Sequence, residues 1–397
     1  MDAAVDPRVR FIEALARSLH EAGAPAHRLE DTVDQCARAL GLQVDCLSQP
    51  TSLILGIGDE IRVVRVQPGR LHLERMVRLD HVGTRVARGE LDPGAGLAAL
   101  VESSAAPERY PLGVEVGAVA VSSGVAAVFL HGSATTVLVA AGLGLVVALL
   151  GRLALRWPDY GRVHELACAL LMSAAATALA RVLPLPVGVL TLAALISLLP
   201  GFTLTVALTE LATRHLASGT ARLMGAAVTF LQLGLGSALG WKLAEALPKA
   251  LRNPNLPLDD AWTWVALPLG AVAFAVVLRA RPRDIPYILA VSALAFVAAR
   301  EGQARLGPEL GASIGGLAVG LFSNLQARLR RLPTAVTQVP GLLLLVPGSI
   351  GFRSFGAMMS DDVTAGVGAA FSMTAIAGSL VGGILLAGLL LPPRKSL

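Results

Sequence analysis

The chain has 397 residues, 54% of them hydrophobic and 15% charged, with a formal net charge of +5 and a mean hydropathy of +0.65. Ordinary soluble domains carry roughly 25% charged residues, so a wholly water-facing protein is excluded and lipid is the solvent for most of this chain. Most basic residues after position 150 lie at the ends of apolar runs, which fits retention at a membrane face and not a nucleic-acid surface.

The first ten residues hold Asp2, Asp6 and two arginines without the apolar stretch of a secretory signal, so the N-terminal region is expected to stay cytoplasmic. Residues 8–110 read as a soluble α/β module. Phe11, Ile12, Leu15, Ala16 and Leu19 recur at helical spacing and stop at Gly23 and Pro25. A second run, Leu29, Val33, Cys36, Ala37 and Leu40, stops at Gly41. Strands are predicted at Leu42–Leu47, Ser52–Ile57 and Ile61–Val66, then helices near Leu71–Arg88 and Pro93–Glu102. Arg109-Tyr110-Pro111 marks a boundary, giving a first domain over 1–111. The three cysteines, Cys36, Cys46 and Cys168, form no CxxC pair, which suits a reducing compartment and no structural zinc.

Charge nearly vanishes after Leu112. Apolar runs near spanning length fall at 113–131, 133–151, 164–183, 186–202, 222–246, 262–279, 285–300, 309–327, 333–349 and 366–391. The sequence therefore predicts a polytopic α-helical membrane protein of about ten spans, with membrane halves over 112–250 and 251–397. Arginines concentrate in alternate loops (Arg152, Arg156 and Arg162; Arg214 and Arg222; Arg279, Arg281 and Arg283; Arg328, Arg330 and Arg331), which places both termini inside.

Two segments align without a gap: Pro186 to Pro200-Gly201, and Pro333 to Pro347-Gly348. Each is the fourth span of a group of five, and an odd count inverts the second group relative to the first, the arrangement of many secondary transporters. Proline removes an amide donor and glycine tolerates a reversed backbone. A helix broken there is tolerated where it lines a cavity; the same pair also ends a span harmlessly at the interface, and both readings stand. On the first reading the substrate path runs along Pro200, Gly201, Thr203, Thr205, Pro347, Gly348, Ser349 and Gln338. Glu210 either titrates or pairs with Arg214 four residues on. Gln232 and Asn324 read as polar contacts between helices, and Gly311-x3-Gly315, Gly316-x3-Gly320 and Gly378-x3-Gly382 as close-packing faces. Self-association into a homo-oligomer is left open.

No HExxH, GxSxG, Walker A or paired intramembrane carboxylates occur. An enzyme, a metal and any other cofactor are therefore not expected, and transport would run on a gradient or passively.

Three blocks resemble the threonine/serine exporter family in its fused form, over roughly residues 8–391. They are Gly23-Ala24-Pro25-Ala26-His27-Arg28-Leu29-Glu30; Leu199-Pro200-Gly201-Phe202-Thr203-Leu204 followed by Glu210, Gly219 and Arg222; and Leu345-Val346-Pro347-Gly348-Ser349 followed by Arg353. The resemblance implies proton-driven export of threonine and serine across a bacterial inner (plasma) membrane. Family members often carry aspartate where Glu210 stands. Glu210, Arg214, Arg222 and Arg353 are candidates for coupling or gating. Gly23, Pro25, His27, Arg28 and Glu30 either bind a cytosolic ligand or hold the soluble domain against the membrane part. Two rival functions are export of a small dicarboxylic acid and membrane-anchored ligand sensing.

Overall fold

The computed structural model describes residues 6–67, 69–245, 256–346, 348–352 and 363–393. Helix α1 (Pro7–Glu21) opens with proline in its first turn, and the Asp6 carboxylate accepts the Arg8 amide at 2.8 Å, satisfying a donor the helix cannot. α2 (Ala26–Ala39) starts directly after Pro25. Three strands follow, β1 (Val44–Gln49), β2 (Ser52–Ile57) and β3 (Glu60–Arg65), as an antiparallel meander in the order β1-β2-β3. Leu53 and Leu55 of β2 face the helices and are fully buried. α3 (Leu73–Ala87) and α4 (Pro93–Ala105) complete the sub-domain.

This core does not end at the membrane part. Phe11, Leu15, Leu29, Leu53 and Leu79 belong to one continuous apolar cluster with Ala271, Ala275, Leu278, Ile288 and Val339, which lie beyond the soluble sub-domain. The first two amides of α3, which no helical carbonyl reaches, donate instead to the carbonyls of Leu278 (3.0 Å) and Arg279 (3.2 Å). The Tyr110 hydroxyl donates to the Ala280 carbonyl at 2.7 Å. Glu74, almost fully buried, accepts from Arg109 and Arg78, and the Arg109 hydrogen bond does most to hold its carboxyl down at about 2.

The remaining helices are α5 (Leu112–Phe129), α6 (Ala134–Arg156), the single turn α7 (Pro158–Gly161), α8 (His164–Leu179), α9 (Val187–Ala194), α10 (Gly201–Ala212), α11 (Leu216–Glu245), α12 (Trp262–Val277), α13 (Ile285–Leu306), α14 (Pro308–Arg330), α15 (Ala335–Leu343), a short helical piece over 348–352, and α16 (Val363–Leu390). Ten spans are not what forms. Among the described residues six helices are long and apolar enough to cross a membrane, or seven if the bent pair around Ile196 counts as one span. The physical reason is length. α8 and α12 have 16 residues each, about 24 Å of helix against roughly 30 Å of hydrocarbon. The 186–202 run is split into α9 and α10 by a 50° bend.

Packing repeats along the chain. α9 lies against α5, α6 and α8, as α15 lies against α12, α13 and α14; α11 packs on α8, as α16 packs on α14. Small residues set the close approaches, although not all those the spacing suggested. A Cβ built on Gly316 would lie 2.4 Å from the Leu380 carbonyl oxygen, so α14 and α16 touch backbone to backbone there. Gly378 and Gly382 face open space, and Gly383 takes the contact, 2.0 Å from the Ser313 carbonyl oxygen by the same measure. Gly383→Leu is expected to cost about 3 kcal/mol or more, the upper end of overpacking penalties, read as a lowered Tm in detergent. Gly382→Leu, its neighbour with nothing within 4 Å, serves as control. Equal Tm values would remove the α14–α16 contact as a determinant of packing. Asn324 does act between helices, donating to the Leu391 carbonyl at 2.8 Å.

Candidate functional site

The Pro200-Gly201 pair lies between two helical pieces. α9 runs out into a 3-10 turn at Ile196–Leu198, Leu199 is extended, and Pro200 caps a new helix that begins at Gly201. Proline has no amide to offer the Ile196 carbonyl, which receives only the Leu199 amide at a long 3.4 Å. The matching glycine, Gly348, begins the helical piece 348–352. Pro347 and Arg353 lie outside the described residues, as does the 250/251 boundary.

The two glycines meet. A Cβ on Gly201 would lie 3.2 Å from the Gly348 Cα and only 2.3 Å from Val346 Cγ1; one on Gly348 would lie 3.6 Å from the Gly201 Cα. A Cβ has no room on Gly201, whereas one on Gly348 would make ordinary contacts. The two helix starts open on a cavity of about 160 Å³ that Ser122, Phe129, Phe202, Phe274 and Ser349 also line. Among the described residues no charged side chain lines it. Its polar groups are two hydroxyls and the backbone at the helix starts, where unpaired amides and the helix dipole favour an anion. A second, smaller cavity of about 60 Å³ holds Thr205, Thr209, Gln338, Thr334, His27 and Arg28. Phe202 lines both. Thr203 sits on α10, partly buried, outside both linings.

The Glu210–Arg214 pair expected from helical spacing is corrected. α10 ends at Ala212, and Arg214 is exposed in a left-handed turn (φ 68), so no helical i, i+4 relation exists. Glu210 is fully buried and partnered elsewhere. Its Oε1 accepts the Ala26 amide at 2.9 Å; its Oε2 accepts the Ser218 hydroxyl at 2.7 Å and lies 3.1 Å from Arg222 Nε. A carboxylate of the membrane part thus caps the N-terminus of α2, which Pro25 leaves uncapped.

Of the remaining N-terminal motif residues, His27, Arg28 and Glu30 meet the membrane part, while Gly23 packs within the sub-domain. Gly23 has φ +81, and a Cβ there would sit 2.8 Å from the Leu71 Cα, so this turn admits only glycine. Arg28 donates to the Thr334 hydroxyl at 2.7 Å. Glu30 accepts the Ser48 amide at 2.7 Å and meets His215 Nε2 at 3.1 Å; burial raises its carboxyl above the usual range. His27 faces the His215 ring at 6.0 Å, and burial, aided by the nearby Arg28, His215 and Arg222, holds its imidazole down at about 3. Ser218 and Thr334 were not singled out from the sequence; Ser218 sits across a turn from Glu210, and the turn was the missing information.

A free imidazole titrates near 6.5, so docking of α2 favours neutral His27. That contribution is complete above pH about 6.5 and is lost as pH falls toward 3, at about 1.4 kcal/mol per pH unit. Amide exchange in α2, corrected for intrinsic rate, is expected to rise about fivefold between pH 6.5 and 5.5 and to stay flat in His27→Gln. Identical pH responses of the two proteins would remove His27 as the cause.

Residues 10–244 match the family model ThrE, a threonine/serine exporter, and residues 263–390 match a second threonine/serine exporter model. The chain belongs to the threonine/serine exporter family. That family is one of exporters, not enzymes. Among curated proteins the chain is similar to pheromone-regulated membrane protein 10 of Eremothecium gossypii (25% identity, 87% of this chain and 49% of that protein) and of Saccharomyces cerevisiae (25%, 87% and 47%). The same-named protein of Yarrowia lipolytica is 25% identical over 86% of this chain and 30% of its own length. The chain thus spans between about a third and a half of these relatives. No solved structure matches. Placement in a bacterial inner membrane is overturned, because these relatives are fungal. Apolar spans with arginines at their ends carry no mark of kingdom, since any bilayer imposes the same hydrophobic length.

Proposed function

We propose that this protein is a secondary transporter that exports small hydroxylated amino acids, threonine and serine, with the site where Gly201 and Gly348 meet. The observation that carries the reading is the pair of facing helix starts opening on the 160 Å³ cavity. Backbone amides there suit the substrate carboxylate, the Ile196 carbonyl its ammonium group, and the Ser122 and Ser349 hydroxyls its side chain. A dicarboxylate fits less well: its second charge would lie among Phe129, Phe202 and Phe274, with no cation among the described lining residues.

The matching packing of α9 and α15 supports two inverted halves, and Phe202, shared by the two cavities, is the gate between the side of the soluble domain and the site. Protons are the proposed coupling ion. Efflux of radiolabelled threonine and serine from preloaded proteoliposomes tests this, with and without a pH gradient. Faster efflux with the gradient supports the reading. No efflux of either from correctly inserted protein overturns the function, and rates indifferent to the gradient overturn the coupling.

A further inference from the structure

The largest described cavity, about 410 Å³, has no part in the transport path. It lies at the joint between α3 and the ends of α12 and α14. One wall is a stripe of α3 at helical spacing, Arg78, His81 and Arg85, continued by Arg88; the facing wall is Arg281, Arg283 and Arg331. Six arginines therefore surround one space.

Three of them are accounted for. Arg281 is buried and clasped by Asp284 at 2.7 and 3.0 Å, Arg78 by Glu74 at 2.7 Å, and Arg88 lies 3.9 Å from Glu90. Arg85, Arg283 and Arg331 have no carboxylate partner among the described residues. Asp80 and Glu90 on the lining, with Glu74 and Asp284 behind it, set four negative charges against these six arginines and Arg109, which shares Glu74, an excess of three among the described residues.

Retention of arginine at membrane faces explains Arg281, Arg283 and Arg331, which follow spans. It does not explain Arg78, Arg85 and Arg88, which belong to the soluble sub-domain and are presented to the others. Two basic walls that line one space repel, an anion between them relieves the repulsion, and a concave basic site focuses the field on one. Guanidinium forks match phosphate oxygens in pairs. No aromatic ring lines the cavity except the His81 imidazole, so a nucleobase finds little to stack on.

We propose that this cavity binds a ligand with two or more phosphate charges and no base, and that the ligand bridges α3 to the membrane helices. The position, at the ends of α12 and α14, is open to two sources of the same chemistry: a phosphorylated lipid headgroup, or a free polyphosphate or sugar phosphate.

The test uses full-length protein in nanodiscs. Arginines are modified with phenylglyoxal and quantified by mass spectrometry, with inorganic pyrophosphate added, or with phosphatidylinositol 4-phosphate in place of part of a phosphatidylcholine bilayer. Arg85, Arg283 and Arg331 are expected to be protected at least tenfold by one or both probes. Arg305, about 30 Å away at the far end of α13, should be unaffected. Protection by pyrophosphate in plain phosphatidylcholine assigns a free ligand; protection by the lipid alone assigns a headgroup. Protection by neither, or equal protection of Arg305, overturns the site. Arg85→Gln with Arg283→Gln is expected to weaken binding of the protecting probe at least tenfold; unchanged affinity in a monodisperse variant overturns it as well. The labelling of unmodified protein decides the matter if that variant does not fold.

Discussion

Gly201→Ala is expected to abolish threonine and serine efflux, a fall of at least a hundredfold, in protein that still inserts and runs as a single species. The added methyl would stand 2.3 Å from Val346 Cγ1 and 3.2 Å from the Gly348 Cα. Valine is stiff at χ1 and yields less readily than a long flexible side chain, so the two helix starts are expected to separate. Misplacing a binding group by about 1 Å costs on the order of a hundredfold where geometry is demanding. Gly348→Ala provides the comparison: its methyl meets Leu199 Cβ at 3.4 Å and the Gly201 Cα at 3.6 Å, which are ordinary contacts. A tenfold loss or less is expected there. The difference matters because a simple helix end would tolerate both. Full activity in Gly201→Ala would return the break to the status of a span terminus.

Glu210→Ala is the second large effect, and it falls on stability. The substitution leaves the Ala26 amide and the Ser218 hydroxyl without their acceptor and strips Arg222 of its carboxylate. Breaking a buried charged cluster from one side costs about 3–5 kcal/mol. The fall in Tm should come with early proteolysis at the start of α2, because that helix loses its cap. Glu210→Gln keeps one acceptor and should recover roughly half of the loss. Its efflux–pH profile separates two roles: a changed profile marks Glu210 as a coupling group, and an unchanged one as a latch only. Wild-type Tm in Glu210→Ala would sink the latch.

How far the sequence reached depends on the range of the information each feature needs. β2 runs over Ser52–Ile57, where alternation predicts it, because a strand with one buried face writes its period into neighbouring residues. Apolar runs mark membrane helices for a similar reason, yet they overcount spans: hydropathy registers α8, α9 and α12, while only helix length and the bend at Ile196 decide whether a segment crosses. The repeated Pro-Gly pairs located the breaks. What sits across from a break is set by tertiary contact, so the meeting of Gly201 with Gly348, and the part of Phe202 between two cavities, were not legible. Glu210 shows the limit most clearly. Spacing offered Arg214, whereas the partners come from α2, nearly two hundred residues earlier, and from α11 beyond a left-handed turn.

The apolar cluster shared by the two parts of the molecule bears on how the protein is made. The N-terminal sub-domain leaves the ribosome first, but Ala271, Ala275, Leu278, Ile288 and Val339, which complete its core, follow it by roughly two hundred residues. At about 5–20 residues per second that is a wait on the order of 10–40 s with an uncovered apolar face. Until the second membrane half arrives, the face that these residues cover stays open to solvent.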